Sequence, residues 1–359
     1  MSVISVEHVS KSYTANQRTV TALDDVTLQI KEGDTIALVG PSGSGKTTLL
    51  RIVAGLETPD TGTVKHDGQL LKDVPTEQRG IGMIFQDYAL IPQWNVERNI
   101  GFYLRLRRRQ REVPQRVHDI SQITGVDIDQ LMGKFPRHLS GGEKQRVSIA
   151  RAFARDLRLL LFDEPFANLD ATFRTNARLE ARRLLNQYPV TMLYVTHDQQ
   201  EAAMITAKVA VMRAGKIEQI GSYPFLYDNP NNVFVAQFIG VPTMNLFEGE
   251  IAHGAWVHET LGTFIIRRDI PDGTAVTLGI RPHHIHVQPD DSGEIAGEVR
   301  AVEAHFAQRY HLLDVQAGAS SWQITAPFDQ QYARGDTLTC NFDEDALFFF
   351  DTATGERLL

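Results

Sequence analysis

A glycine-rich turn between an apolar run and a helical pattern constrains this chain more than any other feature. The turn, GPSGSGKT, extends from Gly40 to Thr47; the run Ile36–Val39 precedes it, and a helical pattern continues to Ala54. It fits the pattern GxxxxGK[ST], in which glycines let successive backbone N–H groups face one anion. The following helix adds the positive end of its dipole, and Lys46 can reach the outer phosphates of a nucleotide. The sequence therefore predicts an α/β domain with a phosphate-binding loop.

Two acidic residues complete a predicted site for ATP and Mg²⁺. The apolar run Leu159–Phe162 predicts a buried strand, and it is followed by Asp163 and Glu164. Ligands collect at the carboxyl ends of strands in open α/β sheets, so Asp163 and the Thr47 hydroxyl are expected to hold the Mg²⁺ shell. Glu164 is then free to polarise a water for in-line attack on the γ-phosphate. The loop residues expected to contact the nucleotide are Ser42, Gly43, Ser44, Gly45, Lys46, Thr47 and Thr48.

Strand and helix patterns alternate along the N-terminal part of the chain. This alternation predicts a parallel sheet covered by helices on both faces. The predicted strands include Val3–Val9, Val26–Ile30, Ile36–Val39, Ile81–Phe85, Leu159–Phe162 and Val190–Val195, and the predicted helices include Val147–Ala154 and Arg174–Leu185. Between Val96 and Leu131 the composition becomes arginine-rich without strand signals. We expect a nucleotide-binding domain at 1–239 with an inserted helical subdomain at about 88–155.

The C-terminal part has a different pattern. A helical stretch at Tyr223–Phe238 is interrupted at Asn229–Asn232, and beyond it short strands alternate with turn signals such as Pro271–Gly273. Short strands separated by such turns are typical of an all-β domain. The sequence therefore predicts a small β-barrel-like domain at 240–359.

Charge and cysteine content exclude several classes of protein. The chain has 36 Lys and Arg against 44 Asp and Glu, a net charge of −8, whereas nucleic-acid binders are normally basic. The six arginines of Arg105–Arg116 leave binding of RNA or anionic lipid as an alternative, although a solvated helix face is the favoured interpretation. The single cysteine, Cys340, suits a reducing compartment, and no apolar run approaches the roughly 18 residues of a membrane helix. We expect no nucleic-acid partner, and any membrane role has to come through another chain.

The segment Leu139–Glu143, LSGGE, makes the prediction more specific. The spacing of Ser140 and Glu143 is a capping box, which explains a helix start but not two consecutive glycines. Gly141 and Gly142 bare the helix N-terminus, so that a phosphate can lie directly on its amides. Because the glycine-rich loop already cradles the nucleotide, a second anion site implies a composite active site. With this segment the chain resembles the ATP-binding cassette (ABC) ATPases, in which the motif reaches across a dimer to the partner's ATP.

The resemblance extends to other positions in family order. Gln86 corresponds to the Q-loop glutamine, which senses Mg²⁺ and faces the membrane partner. Asn168–Asp170 corresponds to the D-loop at the dimer interface, His197 to the switch histidine at the γ-phosphate, and Tyr13 to the aromatic residue that stacks on adenine. The resemblance thus implies Glu164, His197 and Gln86 as catalytic residues, Thr47, Gln86 and Asp163 as Mg²⁺ ligands, and Tyr13, Ser140, Gly141, Gly142 and Asp170 as further nucleotide contacts.

The C-terminal part resembles the maltose-type sugar importers among the ABC ATPases. The matching segments are Phe238–Asn245, Leu278–Pro282 and Phe350–Glu356, whereas residues 302–345 match poorly. In that subfamily the extension is an oligonucleotide/oligosaccharide-binding-like barrel (OB-like, or TOBE-type). The barrel strengthens the dimer and can bind a regulatory protein.

The resemblance implies a homodimer that sandwiches two ATP molecules between the phosphate loop of one subunit and the LSGGE segment of the other. Two transmembrane permease subunits would hold it at the cytoplasmic face of the membrane, and an extracytoplasmic binding protein would deliver solute. Sugar or oligosaccharide import is expected, and polyamine, sulfate or ferric-iron import is the alternative. The sequence departs from the family at two places. Ala167 stands where many relatives carry serine. Trp94 and Asn95 differ from the residues that are common in the family in the segment that receives the permease.

Two other classes compete with a transport ATPase. Soluble ABC proteins of DNA repair or translation usually carry coiled-coil insertions or tandem cassettes, whereas this sequence has one cassette and a β-rich C-terminal part. A P-loop kinase or GTPase outside the ABC family has no use for a second phosphate-binding helix in trans. The LSGGE segment therefore favours the ABC assignment.

Overall fold

The computed structural model describes residues 4–15, 18–124, 128–167, 171–188, 190–265, 270–288 and 293–358. The chain divides into two compact units, Met1–Tyr223 and Pro224–Leu359. Within the described ranges, no helix is both long and apolar enough to cross a membrane. Each unit has its own hydrophobic core.

Strands and helices alternate through much of the first unit. Its strands are β1 (Ile4–Ala15), β2 (Arg18–Ile30), β3 (Thr35–Val39), β4 (Thr61–His66), β5 (Gln69–Leu70), β6 (Ile81–Ile84), β7 (Leu159–Asp163), β8 (Thr191–Val195), β9 (Lys208–Arg213) and β10 (Lys216–Gly221). Its helices are α1 (Lys46–Ala54), α2 (Val96–Ile100), α3 (Phe102–Leu106), α4 (Val113–Thr124), α5 (Ile128–Leu131), α6 (Gly141–Phe153), α7 (Ala171–Gln187) and α8 (Gln199–Ile205).

A six-stranded sheet forms the centre of this unit, with the strand order β10-β9-β3-β8-β7-β6. The pairs from β9 to β6 are parallel, and β10 pairs antiparallel at one edge. Strands β3, β7 and β8 are almost entirely buried, as expected for strands covered on both faces. The predicted α/β class is confirmed. Because these strands run in the same direction, the carboxyl ends of β3, β8 and β7 lie side by side.

A four-stranded antiparallel sheet, in the order β2-β1-β4-β5, shares the core of the parallel sheet. Val6 of β1 and Leu28 of β2 belong to the same buried cluster as Leu38 of β3. The sequence predicted strands within β1 and β2 and missed β4 and β5. The reason is that β4 buries a single aliphatic side chain, Val64, and β5 is two residues long.

Between β6 and β7 the described residues form α2 to α6 with turns between them. Part of the arginine run in this segment is engaged by carboxylates of the same unit. Arg109 Nη1 lies 2.5 Å from Asp156 Oδ2, and Arg116 Nη2 lies 3.3 Å from Asp156 Oδ1. Arg109 also pairs with Glu112. These ion pairs lie at the surface, as expected for a solvated run. The run does not form one helix face, however, because it spans the end of α3, a turn and the start of α4.

The second unit is built almost entirely from strands. It opens with α9 (Tyr223–Asp228) and α10 (Val233–Phe238), so the interrupted helix predicted at Tyr223–Phe238 is confirmed. The strands are β11 (Asn245–Ala252), β12 (Ala255–His258), β13 (Gly262–Ile265), β14 (Ala275–Ile280), β15 (Ile285–Gln288), β16 (Ile295–His305), β17 (Tyr310–Ala317), β18 (Ser320–Pro327), β19 (Thr337–Phe342) and β20 (Phe348–Asp351).

These strands form two five-stranded antiparallel sheets, in the orders β13-β12-β11-β14-β20 and β15-β19-β16-β17-β18. Both sheets contribute to one core, in which Trp256 and Trp322 are buried. Trp256 satisfies its indole Nε1–H by donating to the carbonyl oxygen of Val276 at 2.8 Å. The predicted all-β character of the C-terminal part is confirmed.

Arg281 joins α9 and α10 to the strands of the second unit. Its side chain is buried, and its guanidinium carbon lies 3.8 Å from the centre of the Tyr227 ring. The guanidinium donates to the carbonyl oxygens of Tyr227, Ala236 and Ile239 at 2.8, 3.0 and 2.6 Å. These bonds explain why the second compact unit begins at Pro224, before the domain boundary predicted after residue 239. The domain limits 1–239 and 240–359 stay a prediction.

Arg281→Met is expected to loosen the α9–α10 segment and to leave the first unit intact. The substitution removes the donor for three buried carbonyl oxygens, which costs about 2–4 kcal/mol in the free energy of opening this segment. Hydrogen exchange of the full chain should accelerate at 224–240 and in β14, while β3 and β7 stay protected. The control is Arg300→Met, at an exposed ion pair with Glu298, which should shift that free energy by less than about 0.5 kcal/mol. Equal effects of the two substitutions would contradict the anchoring role.

Candidate active site

The phosphate loop connects β3 to α1, where the sequence predicts it. Gly45 has φ +100°, and a Cβ there would lie 2.3 Å from the carbonyl oxygen of Ala22, so only glycine fits. Gly43 has φ +79°, and a Cβ there would meet nothing within 4 Å. Gly45 also caps α1 without a side chain, which leaves the first amides of the helix without a side-chain acceptor. The loop is closed on its β2 side and open at Gly43, where its amides can face phosphate.

Lys46 is held inside the loop to which it belongs. Its Nζ donates to the carbonyl oxygens of Gly40 and Pro41 at 2.8 and 2.9 Å and lies 3.3 Å from Ser44 Oγ. Burial lowers the pKa of the Lys46 ammonium, and the nearby Glu164 carboxylate opposes that shift. The ammonium is therefore oriented by its own loop and can exchange carbonyl oxygens for phosphate oxygens.

Thr47 and Asp163 form the candidate magnesium site. Thr47 Oγ1 donates to Asp163 Oδ1 at 3.3 Å. Burial raises the pKa of the Asp163 carboxyl, and the hydrogen bond from Thr47 opposes the rise. A cation at these oxygens would favour the ionised carboxylate. Because Mg²⁺ prefers hard oxygen ligands, a hydroxyl and a carboxylate this close together fit the predicted ion.

Glu164 follows Asp163 in an unusual backbone conformation. Its φ is +45°, in the left-handed region that costs a residue other than glycine about 1–3 kcal/mol. Its N–H donates to the carbonyl oxygen of Val195 at 3.0 Å, and its Oε2 lies 3.2 Å from His197 Nδ1. The pairing of Asp163 with Val195 at the ends of β7 and β8 brings the two side chains together. Glu164 and His197 thus meet as neighbours in the structure.

Tyr13 lies on β1, near the start of α1. The residue is 39% exposed, and Lys11 Nζ lies 5.7 Å from the ring centre. Burial raises the pKa of the Tyr13 hydroxyl, as does a hydrogen bond with Glu57, while a hydrogen bond with Thr48 opposes the rise. The effect of Thr48 on this pKa places the Tyr13 hydroxyl near the helix that follows the phosphate loop. A partly exposed aromatic face here can stack on a base.

Helix α6 begins with the capping box that the sequence predicts. Ser140 Oγ accepts from the N–H of Glu143 at 3.3 Å, and Glu143 Oε2 accepts from the N–H of Ser140 at 2.7 Å. The second bond lowers the pKa of the Glu143 carboxyl. A Cβ added at Gly142 would meet nothing within 4 Å. The helix N-terminus is therefore uncrowded beside Gly142, where its amides can receive an anion.

Gln86 is exposed in the loop after β6, and this loop is tied to the middle of α6. Ser148 Oγ donates to the carbonyl oxygen of Tyr88 at 3.0 Å, and Arg151 Nη1 donates to that of Ala89 at 2.5 Å. The same helix therefore carries the LSGGE glycines at its start and holds the Gln86 loop two turns later.

A groove of about 410 Å³ lies beside the Gln86 loop. Its lining combines apolar side chains with arginines and includes Met83, Phe85, Phe102, Arg79, Arg151 and Arg155. Burial lowers the pKa of both Arg151 and Arg155. The groove has the size and character to receive an apolar side chain next to a negatively charged one.

One predicted site residue is not described by the structure, and one network beside His197 was not predicted. Asp170, with the rest of Asn168–Asp170, lies outside the described residues. The sequence analysis missed Arg178, Asp198 and Glu201, which form a buried network next to His197. The spacing of Asp198 and Glu201 is a helix N-cap signal that could have been found, whereas nothing in the sequence pattern marks Arg178.

Comparison with known proteins gives matches along the whole chain. A family model described as ABC transporter matches residues 23–167. The sn-glycerol-3-phosphate import ATP-binding proteins UgpC of Roseobacter denitrificans and of Escherichia coli O6:K15:H31 are 38% and 36% identical, and each match covers 100% of both chains. An uncharacterized ABC transporter ATP-binding protein, YcjV of Escherichia coli O6:H1, is 36% identical, with 99% of both chains covered.

Among solved structures, the dimeric ATP-binding cassette MJ0796 in a post-hydrolysis state with ADP and Pi is similar to this chain. The identity is 30% and the TM-score 0.55, and the match covers 61% of this chain and 98% of that one. A second dimeric structure of MJ0796, described as a bacterial ABC transporter cassette, matches at 29% identity with the same TM-score of 0.55. A stand-alone cassette thus corresponds to only part of this chain, whereas the full-length relatives extend over both of its units.

Proposed function

Because this chain belongs to the ABC transporter family as one of its ATP-binding proteins, we propose that it powers the import of a sugar or a sugar-related phosphate ester. As an ABC ATPase it binds ATP and hydrolyses it to ADP and phosphate. The observation that carries the import proposal is the match over the entire length, all-β unit included, with relatives named as import ATP-binding proteins. In this proposal the chain lies at the cytoplasmic face of the membrane.

Nucleotide binding depends on residues that the fold already holds in position without ATP. Tyr13 stacks on adenine, and the amides of residues 42–48 surround the phosphates. Lys46 exchanges its bonds to loop carbonyl oxygens for bonds to the outer phosphates. Thr47, Asp163 and Gln86 would hold Mg²⁺, which would supply neutralisation of phosphate charge.

Hydrolysis rests on Glu164 and His197. Glu164 accepts a proton from the attacking water, because it is the carboxylate next to the magnesium ligand Asp163. His197 lies within 3.2 Å of Glu164 Oε2, so it can orient that carboxylate while it contacts the γ-phosphate. The left-handed backbone at Glu164 supports this role, because such strained conformations cluster at active sites.

The proposed assembly is a homodimer with its active sites at the interface. Ser140, Gly141 and Gly142 of one subunit contact the γ-phosphate bound by the other, and Asp170 lies at the same interface. The uncrowded N-terminus of α6 supports this role, as does the dimeric state of the similar cassette MJ0796.

The groove beside Gln86 is the proposed contact with one of two transmembrane permease subunits, and the second subunit of the homodimer contacts the other. Movement of a permease segment in this groove would reach the LSGGE motif through α6, since Ser148 and Arg151 hold the Gln86 loop to that helix. The assembly further includes an extracytoplasmic solute-binding protein, and the all-β unit is available to a regulatory protein.

Cargo identity is tested by reconstitution in vesicles with the membrane subunits and the binding protein that co-purify with this chain. The vesicles are tested with sn-glycerol 3-phosphate and with a broad panel of sugars. ATP hydrolysis should rise when the correct solute is supplied on the side of the binding protein. The same vesicles with Glu164→Gln should show no solute-dependent hydrolysis. Stimulation by spermidine, sulfate or ferric iron, with sugars and glycerol 3-phosphate inert, would overturn the cargo proposal and leave the ATPase assignment standing.

A further inference from the structure

A buried ionic network lies next to the loop that carries His197, and the reaction proposed above makes no use of it. Arg178 on α7 donates through Nε to Glu201 Oε2 on α8 at 3.0 Å, and its Nη2 lies 2.8 Å from the same oxygen. The side chains of Arg178 and Glu201 are 11% and 4% exposed. The Tyr194 hydroxyl of β8 donates to Glu201 Oε1. The network thus joins two helices and the strand that leads to His197.

Asp198 connects this network to the residue before it, His197. Its Oδ2 accepts from Arg178, and its Oδ1 caps α8 by accepting from the N–H of Glu201 at 3.0 Å. Its own N–H donates to Thr196 Oγ1 at 3.0 Å. Both neighbours of His197 are therefore held by hydrogen bonds, while the histidine side chain itself is 58% exposed. The backbone at His197 is thus held by the hydrogen bonds of its neighbours, although the histidine side chain is exposed.

The charges of the network favour one arrangement. Burial opposes the positive charge of Arg178, but the carboxylates of Glu201 and Asp198 raise the pKa of the guanidinium. Burial likewise opposes ionisation of Asp198, but the N–H of Glu201 and the guanidinium of Arg178 lower the pKa of the carboxyl. One guanidinium thus serves two carboxylates from a planar fork of donors, which an ammonium cannot reproduce. Buried charges of this kind contribute little net stability, and their best use is to select one geometry.

We propose that Arg178 is a positioning residue for ATP hydrolysis: by holding Asp198 and Glu201 it keeps the loop Thr196–Asp198 where His197 meets Glu164. The inference rests on the roles proposed above for Glu164 and His197. Arg178 contacts neither of those side chains through the bonds described, so it acts through Asp198.

The first test is Arg178→Lys in the full chain. The substitution keeps the positive charge and removes the planar fork of donors. The lysine ammonium therefore cannot hold Asp198 and Glu201 at the same time as the guanidinium does. We expect kcat to fall on the order of 10- to 100-fold, as for a displaced catalytic group, with KM for ATP unchanged. Arg182→Lys, at an exposed position on the same helix, is the matched control and should leave kcat at the wild-type value. A fall in kcat that is equal for both variants would overturn the proposal.

The second test separates positioning from a loss of stability. Single-turnover hydrolysis is measured for Arg178→Lys, His197→Ala and the double variant, together with the midpoint of thermal unfolding. If Arg178 acts through His197, Arg178→Lys lowers the rate in the wild-type background and adds no further loss to His197→Ala, while its effect on unfolding is the same in both backgrounds. An equal loss of rate in both backgrounds would overturn the proposal.

Failure of this inference is distinguishable from failure of the proposed function. If His197→Ala is slow and Arg178→Lys is not, only the positioning role fails. If His197→Ala hydrolyses ATP at the wild-type rate, the role of His197 fails, and the positioning role fails with it. Should Arg178→Lys not fold, Glu201→Gln keeps the side-chain shape, removes one of the two charges that hold the arginine, and is tested in the same cycle.

Discussion

The full chain with Glu164→Gln is expected to bind ATP and to hydrolyse it about 10²–10⁴-fold more slowly than the wild type, the range for the loss of a general base. The amide has the shape of the carboxylate, so the contact with His197 and the phosphate loop are retained. It cannot accept a proton from the attacking water. ATP affinity is measured with a fluorescent analogue, hydrolysis in a single-turnover assay, and the accumulation of an ATP-bound dimer by size-exclusion chromatography with Mg²⁺.

The control for that experiment is Glu180→Gln, which changes an exposed glutamate on α7 in the same unit. Its turnover should equal that of the wild type. Near-normal turnover in Glu164→Gln would shift the role of the base to His197 or Gln86. Loss of ATP binding in Glu164→Gln would instead mean that the carboxylate supports the loop around Lys46. Burial lowers the pKa of the Lys46 ammonium, and the charge of Glu164 already opposes that shift.

Lys46→Ala and Ser140→Arg are each expected to lower turnover on the order of 10²–10³-fold, and turnover is expected to return in part when the two variants are combined in one heterodimer. In that heterodimer, the Ser140→Arg subunit supplies an intact phosphate loop that faces the intact LSGGE segment of the Lys46→Ala subunit. One of the two sites is then complete. Heterodimers purified through two different tags should therefore hydrolyse ATP at about half the wild-type rate, because a two-fold interface repeats the same contacts at both sites.

The reciprocal heterodimer makes the comparison decisive. A wild-type subunit paired with a Lys46→Ala/Ser140→Arg subunit has no complete site if the LSGGE segment acts across the interface. The same pair has one complete site if each subunit works alone. Activity in the reciprocal pair and none in the mixed single variants would refute the composite site.

Four strands of the parallel sheet, β3, β6, β7 and β8, were predictable from the sequence because burial on both faces leaves uninterrupted apolar runs, whereas the equally buried β9 was not predicted. The runs at Ile36–Val39 and Leu159–Phe162 lie within β3 and β7 almost residue for residue. Strands that are only partly buried carry a weaker pattern, and β4, with Val64 as its aliphatic contribution, was missed for that reason. Sheet order in the second unit was also out of reach, since β15 pairs with β19 and periodicity does not specify a partner that far along the chain.

The candidate site was predictable for residues that belong to a recognisable motif and lie at the carboxyl ends of neighbouring parallel strands. Thr47 and Asp163 were expected to share a site and lie 3.3 Å apart, although 116 residues separate them. The surroundings of His197 were not predictable, because Arg178 is brought to Asp198 by the packing of α7 on α8. No periodicity or spacing in the sequence encodes that contact. The network beside His197 therefore depends on tertiary structure, whereas the candidate phosphate contacts follow from local sequence.

The left-handed backbone at Glu164 lowers the stability of the folded chain at a residue that is proposed to support ATP turnover. Glycine or asparagine at this position would recover about 1–3 kcal/mol, since both tolerate positive φ better than glutamate does. Under the role proposed above for Glu164, selection for ATP hydrolysis keeps the glutamate, whereas selection for folding alone would favour glycine or asparagine at this position. On this proposal, the most stable sequence and the sequence that hydrolyses ATP differ at position 164.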